Sequence, residues 1–225
     1  MFPIGDENRD GRTTPIVTYV LILLNVVVFV YELMLGDGVQ QFILDWGSVP
    51  REVIRDGEWL TLLSSMFIHG GFAHVIGNMA FLHVFGDNVE DALGHGRYLL
   101  FYLVTGMAAH AAHILLNPES GIPTVGASGA ISGILGAYIV MFHMNRVRVW
   151  WGFFVTSLPA WAMIGLWAAQ QFFATYASIA YTEQTEGGGV AYAAHAGGFI
   201  AGVVLALVLR GGRRDAIARQ GGYPA

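Results

Sequence analysis

Six stretches of this chain are apolar over roughly the length a bilayer demands, and that recurrence limits the fold more than any other feature. A helix crossing the hydrocarbon core needs about 20 mostly apolar residues. Ile16 to Leu35 meets this, and its flanks do not read as a cleaved signal peptide. Phe72 to about Val89 follows, then Tyr98 to Leu116, closed by the stop "NPES". Ala127 to Met144 is the fourth and Val190 to Leu209 the sixth. The fifth lies within Val149 to Ala180, which is too long for one span and is broken by Pro159. The span is expected over about Leu158 to Ala177, with Trp150 and Trp151 at the membrane interface. Residues Gly36 to Gly71 are too polar to cross and carry Trp46 and Trp59, so this first loop is expected to lie in the interface.

Composition agrees. The chain is 55% hydrophobic and 12% charged, about half the charged fraction of a soluble domain. The expected class is an all-α membrane protein: a cytoplasmic tail over 1–15, one six-helix bundle over 16–210, and a second cytoplasmic tail over 211–225. With no cysteine, disulfides, thiol catalysis and thiolate metal sites are excluded. All eleven basic residues are arginine, which removes lysine general bases and Schiff bases. They form no basic stripe, so nucleic acid is not an expected partner. Arginine placement favours both termini inside. That orientation puts Arg9, Arg12, Arg97, Arg146, Arg148, Arg210, Arg213, Arg214 and Arg219 in the cytoplasm and only Arg51 and Arg55 outside.

Polar groups within a bilayer are costly and are functional candidates. Spans two, four and six run from outside to inside, and each begins with one. Span two carries His74 and Asn78, span four Ser128 and span six His195. All four fall at similar depth. Ser128, Ser132 and Gly136 share one helix face, as do His195, Gly198 and Gly202. Small residues let membrane helices approach closely. A serine stripe can therefore pack on a histidine stripe and form a nucleophile–base pair. Ser128 lies between Gly126 and Gly129 at a helix start, where unpaired N–H groups favour a developing negative charge. His74 and Asn78, at i and i+4, can donate hydrogen bonds to that oxyanion. No carboxylate stands at this depth near His195, so the expectation is a dyad.

Together these residues resemble the rhomboid intramembrane serine proteases. The matching motifs are "GASGA" around Ser128, "HGGFAHVIGN" with His69, His74 and Asn78, "NVEDALGHGRY" with Glu90, Gly94 and Tyr98, and "AHAGGFIAG" with His195, Gly198 and Gly202. They cover about residues 15 to 210. The resemblance implies a six-helix rhomboid-like bundle with Ser128 as nucleophile and His195 as general base. It implies an oxyanion hole of His74, Asn78 and the Ser128 N–H. It also implies a membrane-embedded hairpin over 36–71, a cap near 181–189 and a lateral gate at span five. The substrates would be transmembrane segments of other membrane proteins, cut within the lipid bilayer without a cofactor or a metal. A prokaryotic cytoplasmic membrane is the expected location.

The chain departs from the family pattern twice. Leu60 and Thr61 stand where many members have Trp-Arg, and Ser132 stands where some place an aromatic that packs on the base histidine. His69 reads as structural. His110 and His113 invite a metal reading, but zinc needs at least a third protein ligand and no HExxH occurs. A catalytically silent relative that binds membrane clients is the main alternative, although such relatives typically lose the serine or the histidine. A transporter would favour internal repeats and deep charges.

Overall fold

The computed structural model describes residues 2–6, 13–180 and 191–220. Among them, six helices have 15 residues or more: α1 (Ile16–Met34), α5 (Phe72–Leu93), α6 (His95–Leu116), α7 (Ser128–Phe142), α8 (Ala160–Ala180) and α9 (Tyr192–Gln220). Three short helices, α2 (Val39–Trp46), α3 (Pro50–Arg55) and α4 (Thr61–Ser64), occupy the first loop. Among the described residues, three helices can cross a membrane by length and composition: Ile16–Met34, His95–Leu116 and Tyr192–Leu209. Their outward faces are apolar; on α1 alone, Leu23, Val27 and Val30 are exposed. The protein is thus mostly helical and suited to lipid.

The helix ends follow from local chemistry. α1 starts after Pro15 with no side-chain cap of its own. Its first turn is closed from a distance by the buried Glu90 carboxylate, which accepts hydrogen bonds from Val17 N and Thr18 N, each at 2.8 Å, and from Thr18 Oγ1 at 2.7 Å. An acid there also suits the positive end of the helix dipole. Gly94 alone links α5 to α6, at φ 79°, a conformation that side-chain-bearing residues rarely adopt.

α7 is the central element, buried without a break from Gly129 to Tyr138. At 15 residues it rises about 22 Å, less than the ~30 Å hydrocarbon core. Its partners are α9 on one side and α6 on another. A Cβ on Gly198 would run into the Gly129 carbonyl, and one on Gly202 into the Gly133 backbone. On α7, Gly129 and Gly133 present backbone to α9 and their Cβ positions to Ala109 and Thr105 of α6, while Gly136 meets the α9 backbone at Phe199 and Val203. Two members of the face expected from the sequence, Ser128 and Gly136, do meet α9, at His195 and at the backbone of Phe199 and Val203. Ser132 turns back instead, and its Oγ donates to the Ser128 carbonyl at 2.6 Å.

A three-stranded antiparallel sheet, β1 (Phe2–Asp6), β2 (Arg146–Trp151) and β3 (Phe154–Pro159), was not expected. β2 and β3 form a hairpin from Arg146↔Pro159 to Trp151↔Phe154, with Gly152 at φ 63° opening its two-residue turn. Trp150, Trp151 and Phe153 are exposed, while Val147 and Val149 point into the core. β1 lies on the other side of β2, from Phe2↔Trp150 to Asp6↔Val147. The Asp6 carboxylate accepts from Tyr138 Oη at 2.5 Å and from the Asn88 amide.

Candidate active site

Ser128 opens α7, and the loop before it is clasped by the first loop. Ser48 and Thr124 exchange backbone hydrogen bonds of 3.1 and 2.8 Å, Arg51 N donates to Ser120 O at 3.1 Å, and Gly126 N donates to Ser65 O at 2.8 Å. Arg55 pairs with Glu119. These bonds hold the loop without the missing Trp-Arg pair; Leu60 in its place is 80% exposed. Gly126 has φ 119°, and a Cβ there would lie 2.6 Å from His74 Nε2 and 3.5 Å from Asn78 Nδ2. Only glycine fits, on both counts.

The Gly129–Gly198 contact brings α9 close enough for the pairing of Ser128 with His195. Ser128 Oγ and His195 Nε2 are 2.8 Å apart. The other ring nitrogen, Nδ1, lies 2.8 Å from Oε1 of Gln171 on α8. An amide oxygen only accepts, so Nδ1 carries the hydrogen and Nε2 is left to accept from the serine hydroxyl. Trp167, one turn before Gln171, lies against the His195 ring with centroids 6.1 Å apart and planes 35° apart. It fills the role that Ser132 leaves open. Gln171 and Trp167 were missed in the sequence. A polar residue within an apolar helix was the available signal for Gln171.

His74 and Asn78 converge beside Gly126, two residues ahead of Ser128. The first turn of α7 adds backbone N–H groups that no earlier turn can use. Asn78 Nδ2 donates to His69 Nε2 at 2.9 Å, and His69 Nδ1 faces Phe67 O at 3.3 Å. Burial pushes the His69 imidazole down to about 4, so the ring is neutral, as this pattern requires. His69 is itself held through its backbone N–H by the buried Glu32 carboxylate at 3.1 Å, and its ring stands edge-on to His74 at 5.0 Å. Glu32 was also missed. His69 thus steadies Asn78, and Gly129, Gly198 and Gly202 set the helix separation.

Glu90 is remote from this cluster, bound to the start of α1 and to His95. His110 Nε2 lies 3.0 Å from Ser65 Oγ. Among the described residues no three acidic or histidine side chains gather as a metal set. The cap expected near 181–189 lies outside the described residues.

The rhomboid domain family model matches residues 56–212. The chain is 35% identical over 139 residues to "Rhomboid protease GluP" of Bacillus subtilis, covering 61% of this chain and 26% of that protein. It is 28% identical over 163 residues to "RHOMBOID-like protein 5" of Arabidopsis thaliana, covering 72% of this chain and 48% of the relative. It is 30% identical over 133 residues to "Putative rhomboid protease YdcA" of Bacillus subtilis, covering 58% and 64%. The chain thus spans between about a quarter and two thirds of these relatives' lengths. Since the domain match takes in well over half of the chain and its helices are apolar enough to cross a membrane, this is an integral membrane protein of the rhomboid family.

Proposed function

We propose that the protein is an intramembrane serine endopeptidase that cuts transmembrane segments of other membrane proteins through a Ser128–His195 dyad. The observation that carries this reading is the 2.8 Å contact between Ser128 Oγ and His195 Nε2, with the other ring nitrogen 2.8 Å from Gln171 Oε1. His195 Nε2 takes the hydroxyl proton as Oγ attacks the scissile carbonyl. The resulting oxyanion is met by the N–H groups at the start of α7, with His74 and Asn78 alongside. His195 then gives its proton to the leaving amine, and the acyl group stays on Ser128. Water, deprotonated by His195, releases it. No metal or cofactor takes part in these steps. The six long helices act as six spans with both termini in the cytoplasm, and residues 16–210 form the protease unit. A substrate must unwind locally, because a helical peptide bond is shielded by its own hydrogen bonding.

The test is cleavage of a model transmembrane substrate in liposomes by the native protein, Ser128→Ala and His195→Ala. Loss in both variants, with folding intact, is expected. Native-level cleavage by Ser128→Ala overturns the mechanism. Should the native protein neither cleave nor react with a fluorophosphonate, the client-binding reading takes its place.

A further inference from the structure

We propose that Gln171 is a positioning residue that selects the working tautomer of His195 and steadies its charged form during the reaction. The inference rests on the Ser128–His195 reading above. A neutral imidazole has one N–H. With the hydrogen on Nε2, the ring would present a donor to Ser128 and could take no proton from it. Oε1 of Gln171, 2.8 Å from Nδ1, holds the hydrogen on the far nitrogen. Gln171 is buried, at 6% exposure. Thr175 Oγ1 donates to its main-chain carbonyl at 2.8 Å, and Trp167, on the same face one turn earlier, lies against the histidine ring.

An amide suits this depth. A carboxylate could orient the ring equally well, but an ionised group costs far more to bury than a hydrogen-bonded amide. The amide still contributes to the barrier. When His195 takes the serine proton, the Nδ1–H···Oε1 bond becomes charge-assisted and about doubles in strength. An interaction that is stronger in the transition state than in the ground state raises kcat and leaves substrate binding alone. The titratable groups whose charge reaches His195 are His74 on α5 and His113 on α6.

The experiment uses the full chain in liposomes with a model transmembrane substrate. Gln171→Met keeps the length of the side chain and removes the acceptor. It is expected to lower kcat roughly tenfold, the scale of one such hydrogen bond, with KM unchanged. Gln171→Glu keeps the acceptor and adds charge. It is expected to retain cleavage and to move the acidic limb of the kcat/KM profile upward by about one pH unit, since a neighbouring carboxylate favours the imidazolium. A side chain at this position that did not meet the ring would leave that limb in place. Native kcat in Gln171→Met, or a change confined to KM, overturns the proposal. If the methionine variant does not fold, the glutamate variant decides, and an unmoved limb overturns it. Ser128→Ala in the same series separates the two claims. Its inactivity beside unaffected Gln171 variants removes only the role of Gln171, whereas its activity removes the dyad.

Discussion

Gly198 and Gly202 show how little space separates Ser128 from its partner. A methyl group on either would meet backbone atoms of α7, and backbone cannot swing aside as a side chain can. Gly198→Ala is therefore expected to destabilise the protein by about 1–3 kcal/mol, the range for overpacking, and to abolish cleavage by pushing α9 away. A thermal melt in detergent and the liposome assay check the two effects separately. The same residues explain what was legible. Ser128, His195, His74 and Asn78 stand out because each is polar in an apolar setting beside glycine or alanine. Gln171 lies in "AAQQFF", where nothing marks one glutamine over its neighbour. Its partner is 24 residues away on another helix, and only packing shows which glutamine faces the histidine. Ser132 was read on the same face, but a serine inside a helix can satisfy its hydroxyl on its own preceding turn, as Ser132 does at the Ser128 carbonyl.

Among the elements, α1 depends on a residue far along the chain. Glu90→Ala leaves the Val17 and Thr18 N–H groups without their acceptor, and a buried orphan donor costs about 1–3 kcal/mol. The melting temperature is expected to fall. Glu90 lies 12 residues beyond Asn78 on α5, about 18 Å along the axis, so cleavage measured well below the melt is expected to stay near native. The long helices were legible from their apolar runs, with limits close to those observed except at the end of α9, which continues to Gln220 beyond the expected Leu209. The β2–β3 hairpin was not. "RVRVWWGFFVTSLP" alternates at its start and has a glycine at its turn, both strand signals. It runs directly into α8, however, and its aromatic and branched residues look like the head of a long apolar span. Val147 and Val149 are core residues all the same, and only the β1 pairing shows why the strand is stable.

At the scale of the whole molecule, two tethers oppose each other along α7. The first loop holds the chain entering it, and the sheet holds the chain leaving it. The second tether carries a consequence for sidedness. Residues 2–6 and 146–151 are joined by backbone hydrogen bonds, so both segments lie on one side of the membrane. The chain between them must leave that side and return, which requires an even number of crossings; on the six-span reading proposed above, α1, α5, α6 and α7 supply four. Reporters placed ahead of Phe2 and at Gly152 are expected to give the same sidedness, and opposite readings would contradict the sheet. The pairing also sets an order of events. β1 is made long before β2, yet it has no strand to join until α7 has been synthesised and has entered the bilayer. Its edge therefore stays open while α1, α5, α6 and α7 are made, and the circuit closes only afterwards. Chains halted before Arg146 should leave residues 2–6 open to protease, and chains halted well past Pro159 should protect them. β1 thus registers the arrival of β2, with α8 and α9 still to follow.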